Sequence, residues 1–149
     1  MNNITMLEAQ HDALAGMMLR LVNLVQGFNG PDQAYPITVQ LAKLAHLLRL
    51  HFATEDEWFY PAMIGSGEPA AASLATMYRE EVGGIAKEVE AFVGRWNSSV
   101  VIELGADRFR DEMLVLFRQI EARIGREDEE LYPLARLLGI GIDIRPLAA

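Results

Sequence analysis

Two residues one helical turn apart carry the chemistry in this sequence. They are His51 and Glu55, inside His51-Phe-Ala-Thr-Glu55-Asp-Glu-Trp-Phe-Tyr-Pro61. Residues at i and i+4 share a helix face, so this imidazole and carboxylate can point at a common atom, the geometry a metal ion would use. The same cadence returns as Arg123-Ile-Gly-Arg-Glu127-Asp-Glu-Glu-Leu-Tyr-Pro133. There Glu, Asp, Glu, Tyr and Pro recur in register, with arginine where the histidine stood. One copy is an intact metal motif and the other an altered one.

Composition narrows the chemistry further. Cysteine is absent, which excludes disulfides, thiol catalysis and thiolate-bound metal. Any metal must use histidine nitrogen and carboxylate oxygen. The net charge of −8, with no basic cluster, argues against a nucleic-acid partner. At 149 residues, 51% apolar and 23% charged, the chain reads as one globular domain over residues 1–149 with its own core. No apolar run reaches the roughly 20 residues of a membrane span. The start of the chain lacks the basic segment and apolar run of a signal peptide. The expected location is the cytoplasm, without a membrane partner.

The elements that must position these side chains are helices. In the first, about 5–26, Thr5 is the expected N-cap with Glu8 three residues on. Leu7, His11, Leu14, Met18, Leu21, Val25 and Phe28 follow steps of four and three, a buried stripe with one histidine set into it. The second, about 36–64, opens at Pro36 and carries Ile37, Leu41, Leu44, Leu48, His51, Glu55, Trp58 and Ala62. The third, about 70–97, carries Leu74, Met77, Glu81, Ile85, Val89, Phe92 and Trp96. Gly83-Gly84 within it marks a kink or a close approach by a neighbour. Asn97 to Gly105 reads as an extended or loosely helical connection. The fourth, about 107–138, carries Met113, Phe117, Ile120, Ile124, Glu127, Leu131, Leu134 and Leu138, with Arg123 on its shoulder. The tail, 139–149, alternates Ile with Gly or Asp and is expected to pack extended across the bundle or against a second copy.

Four apolar-striped segments with short connections predict an all-α, up-down-up-down four-helix bundle. In that topology the start of helix 1, end of helix 2, start of helix 3 and end of helix 4 share one end. Five polar side chains are thus expected to converge, His11, His51, Glu55, Glu81 and Glu127, with Arg123 at their edge. Buried ionised carboxylates cost several kcal/mol unless paired or metal-bound, so this cluster needs cations. Histidine and glutamate without cysteine suit iron, manganese or zinc. His46 lies about 140° round the helix from His51 and is expected on its flank, while Asp56 and Glu80 face solvent.

Over nearly its whole length the chain resembles the hemerythrin-like (HHE cation-binding) domains, four-helix bundles with a non-haem, usually di-iron, centre. The resemblance rests on His11 with Asp12, on His51-x-x-x-Glu55 leading to an aromatic-Pro close, and on Glu127-Asp-Glu-Glu-Leu-Tyr-Pro133. The family pattern has a further histidine in helix 3 and a second His-x-x-x-Glu in helix 4. Here Glu81 and Arg123 stand at those positions. Glutamate can bind metal, whereas a guanidinium stays protonated and offers no lone pair. The resemblance therefore implies His11, His51, Glu55, Glu81 and Glu127 as ligands for one or two irons, or no metal at all because of Arg123.

Three functions compete. One is a metal-binding protein that senses or handles iron, oxygen or nitric oxide rather than transporting oxygen, its partner a metal ion or diatomic ligand. Another is a metal-free bundle that regulates a protein partner. For this reading, Glu121-Ala-Arg-Ile-Gly-Arg-Glu-Asp128 shows a short resemblance to bacterial regulator-of-sigma-D proteins. The last is a ferritin-type carboxylate oxidase, disfavoured because no Glu-x-x-His pair occurs in helix 2 or 4. An enzyme is thus not the expected reading.

Overall fold

The apolar cadence folds into seven α-helices among the described residues, 3–141, of the computed structural model, and no strand occurs among them. They are α1 (Asn3–Gln26), α2 (Ala34–Thr54), α3 (Tyr60–Ile64), α4 (Pro69–Arg95), α5 (Ser99–Leu104), α6 (Ala106–Arg126) and α7 (Tyr132–Leu137). A π-helical turn, Glu55–Phe59, joins α2 to α3, and a second, Glu127–Leu131, joins α6 to α7. The chain thus makes four long helical runs plus the short α5. None of these helices is long and apolar enough to cross a membrane.

Both π turns have the same cause in the sequence. Pro61 and Pro133 have no N–H to donate, and a proline ring collides with the carbonyl four residues back in a regular helix. Widening the preceding turn by one residue relieves this. The Tyr60 N–H reaches the Glu55 carbonyl and the Tyr132 N–H that of Glu127, each five residues back. The extra residue advances the buried stripe by one position. Phe59, Tyr60 and Met63 are buried where regular periodicity predicted Trp58 and Ala62. In the second copy Ala135 replaces Leu134 in the same way, and Tyr132 is buried beside Leu131.

The α1 stripe matches its expectation from Leu7 to Val25. Its start does not, because the helix already includes Asn3 and Ile4, so Thr5 is no N-cap. Ile4 is buried, and Glu8 pairs with Arg136 of α7 rather than closing a capping box. In α4 the first half is rotated from the predicted stripe. Ala71, Ala75, Tyr78 and Val82 are buried, while Met77 and Glu81 are exposed. Small Ala71 and Ala75 allow α3 to lie close, which a reading weighted toward large Leu74 and Met77 overlooks. Gly83 and Gly84 sit in uninterrupted helix with open space where a Cβ would stand, so neither serves a close approach.

The 97–105 connection is ordered by two devices. Ser98 caps α5 through its hydroxyl, which accepts from the Val101 N–H at 3.3 Å. Gly105 lets the chain turn beneath Trp96, whose ring lies 3.1 Å from where a Cβ would stand. At the other end, α7 closes through Gly139 (φ 73°), with Ile140 N–H to Ala135 O and Gly139 N–H to Arg136 O. The expected extended tail begins as this turn, and residues 142–149 lie outside the described residues.

Two apolar layers result. One gathers Leu14, Met18, Leu44, Leu48, Phe92, Phe109, Phe117 and their neighbours. The other gathers Ile4, Leu7, Phe59, Met63, Tyr78, Leu131 and Ala135. Along α1, α2 and α6, the residues between the two layers are polar: His11, His51 with Glu55, and Arg123 with Glu127.

Candidate metal centre

Each polar residue of this slab occupies a core position in its own helix. Relative exposure is 2% for His11, 1% for His51, 0% for Glu55, 1% for Glu127 and 3% for Arg123. The structure therefore brings together four of the five expected side chains. Glu81 is the exception. It is exposed (40%), and its Oε2 accepts from Arg123 Nη1 at 2.7 Å and Arg126 Nη1 at 2.8 Å. Where the sequence predicted Glu81 inside, the ring of Tyr78 lies against Arg123, its centroid 4.2 Å from Cζ. Arg123 itself is in the buried stripe and not on the shoulder.

The two imidazoles are held through their outer nitrogens. His11 Nδ1 lies 2.7 Å from Asp128 Oδ1, and His51 Nδ1 lies 2.7 Å from Gln10 Oε1. Both acceptors are oxygens, so both Nδ1 atoms carry hydrogen and donate. The Nε2 atoms are left to face each other at 3.1 Å. Glu127 Oε1 stands 3.2 Å from His11 Nε2 and 3.9 Å from His51 Nε2. Glu55 Oε1 is 3.2 Å from His51 Nε2 but out of line for a hydrogen bond, and it has no hydrogen-bond partner.

The remaining oxygens are held crosswise by two tyrosines that the π turns deliver. Tyr132 donates to Glu55 Oε2 at 3.1 Å, and its ring stacks on His11 with centroids 5.2 Å apart. Tyr60 donates to Glu127 Oε2 at 2.9 Å and accepts from Arg123 Nη2 at 3.1 Å. Each Glu-x-x-x-x-Tyr-Pro copy thus clamps the glutamate of the other. The repeated Tyr-Pro after each glutamate was the signal for this pair. No sequence signal marked Gln10 or Tyr78.

Charge in this slab is settled by proximity more than by solvent. Burial pushes the Glu55 carboxyl well above the usual range, and the charge of Glu127 adds to it. Burial pushes Glu127 upward too, but the close approach of Glu55, His11 and His51 outweighs this and holds it below the usual range. The pair is thus shifted in opposite directions, which favours the negative charge on Glu127. Burial opposes a charge on His51, yet the close carboxyl groups of Glu127 and Glu55 raise it to about 9. Burial moves both tyrosines upward, so their hydroxyls stay protonated and remain donors.

These residues fit a metal ion. The two Nε2 atoms, 3.1 Å apart, can share a proton or hold a cation between them, and the Glu55 oxygen without a hydrogen-bond partner lies beside His51. His11, His51 and Glu127 offer ligand atoms that all lie within 4.8 Å of one another. A point equidistant from His11 Nε2, His51 Nε2 and Glu127 Oε1 lies about 2 Å from each, close to the roughly 2.0–2.2 Å of nitrogen and carboxylate ligation. Asp128 and Gln10 already orient the rings as outer-shell partners of metal-bound histidines do.

Helical framework and interior donors together define a helical protein with a candidate metal centre. The family profile of the hemerythrin HHE cation-binding domain matches residues 2–135 of the 149, and the chain belongs to that family. Comparison with curated proteins gives no match, and comparison with solved structures gives none.

Proposed function

We propose that the protein is a hemerythrin-like non-haem metal-binding protein that senses or handles iron, oxygen or nitric oxide, and does not carry oxygen. The observation behind this reading is the facing pair of Nε2 atoms at 3.1 Å, with both Nδ1 atoms occupied as donors. His11, His51 and Glu127 would hold the ion, with Glu55 as a further oxygen donor. Bound iron would supply redox chemistry and affinity for a diatomic ligand. The chain's own part is to orient the imidazoles, keep the slab between two apolar layers, and hold protons on Tyr60 and Tyr132. Two histidines and two carboxylates make a donor set richer in oxygen than a histidine-dominated carrier centre, which favours handling over reversible carriage. We infer a single domain whose four helical runs form an up-down-up-down bundle, a topology supported by short connections and by the meeting of α1, α2 and α6 at the slab.

A second reading, a metal-free regulator of a protein partner, draws support from Arg123, which already supplies a cation to the slab. Metal analysis separates the two. Protein purified without chelator or affinity tag is expected to carry iron, lost in His51→Ala. A folded wild-type protein that takes up neither iron nor any other divalent metal would sink the first reading and leave the second.

A further inference from the structure

We propose that Arg123 fills, as a permanent cation, the place a second metal ion would take, so that the centre holds a single ion on the His11–His51 side of Glu127. This rests on the metal-binding reading above and goes beyond it by fixing nuclearity.

Arg123, Glu127, Tyr132 and Pro133 repeat the spacing of His51, Glu55, Tyr60 and Pro61. Arg123 therefore has the place in its helix that a ligand histidine has in the other copy, one turn before a buried glutamate and its π turn. Its guanidinium is anchored on several sides. Nη2 donates to the Tyr60 hydroxyl and to the Tyr78 carbonyl, Nη1 donates to Glu81, and Cζ lies 4.2 Å from the Tyr78 ring centroid. Leaving the slab would break all of these contacts at once.

The two oxygens of Glu127 divide between two cationic places. Oε1 faces the histidines, while Oε2 faces Arg123 Nε at 3.9 Å and accepts from Tyr60. A carboxylate spanning two metal ions would present its oxygens in this divided way. Here one side is a guanidinium, which has no lone pair and does not deprotonate. A divalent ion on that side would meet fixed positive charge. It would also lack a nitrogen donor, because the chain's three histidines are His11, His46 and His51 and none lies in α4 or α6. The nearby cleft of about 360 Å³ between α4 and α6 opens on Glu81, Gly84, Arg123 and Arg126, and its acids include Glu81, already bound to both arginines.

Chelator-stripped full-length protein titrated with cobalt(II), followed by calorimetry and visible absorption, tests the count. One tight equivalent per chain is expected, with the cobalt bands reaching their plateau there. Arg123→His removes the fixed charge and adds a nitrogen donor, and its saturation point is expected to move toward two. Two tight equivalents in the wild type would overturn the proposal, whether or not the variant folds. A folded Arg123→His that still saturates at one would overturn the role given to Arg123. No tight equivalent in the wild type would instead remove the metal reading itself.

Discussion

At the residue scale, this centre is a problem of keeping two lone pairs aimed inward. Asp128 and Gln10 do so by accepting from His11 and His51, and each fixes both ring orientation and tautomer. Asp128 is half exposed, so its loss leaves no buried orphan of its own. Asp128→Ala frees the His11 ring to rotate and to place its hydrogen on Nε2. Divalent-metal affinity is expected to fall about 10–100-fold with the helical circular dichroism intact. Competition titration against a chromophoric chelator measures this, and equal affinity in the two proteins would remove Asp128 from the site. Much of the residue-level picture was legible beforehand: His11, His51, Glu55 and Glu127 follow from periodicity alone. Glu81 did not, because a glutamate in phase with an apparent stripe looks the same whether the helix is turned toward the core or 100° away.

At the scale of elements, the π turns and α4 decide how the slab is assembled. A widened turn ahead of Pro61 and Pro133 swings Tyr60 and Tyr132 inward, and each tyrosine then clamps the glutamate of the opposite run. Periodicity of 3.6 cannot foresee the one-residue advance, which is why Trp58, Ala62 and Leu134 were expected where Phe59, Met63 and Ala135 lie. In α4, Gly83 keeps helical backbone in open space, so it brings flexibility with no packing role. Gly83→Ala is expected to stabilise the protein by about 0.5–1 kcal/mol through the unfolded chain. Denaturant unfolding checks this, and a lower midpoint would mean that the glycine has a conformational task the helix conceals.

For the whole molecule, charged ties between separate helices surround the apolar layers. Glu8 is held below the ordinary carboxyl value by its hydrogen bond with Arg136, Glu90 by that with Arg49, and Glu112 by that with the Trp96 indole. A folded-state value below the unfolded one gives stability that is present above about 4.5, the unfolded carboxyl range, and is lost as pH falls through the folded values. Melting temperature is accordingly expected to fall as pH drops below about 4.5 through these folded values. Glu112→Gln should flatten part of that fall, since Glu112 joins α6 to Arg95 and Trp96 of the α4 end. Added salt should weaken the exposed Glu90–Arg49 share. An identical acid profile in Glu112→Gln would assign the loss to other carboxyls.

The sequence by itself determined the helical class, four of the buried donors and the exclusion of sulfur ligands. These depend on residue type and on spacing along one helix. Tertiary structure alone decided what lies across the gaps. It set the two tyrosines crosswise on the glutamates, turned Glu81 outward onto Arg123 and Arg126, and seated the Arg123 guanidinium beside Glu127. The physical reason is that a one-residue change in helical phase rotates a side chain by about 100°. Two such changes, from proline-driven π turns and from alanine-lined packing of α3 on α4, were enough to redraw one half of the site. The other half stayed where periodicity had put it.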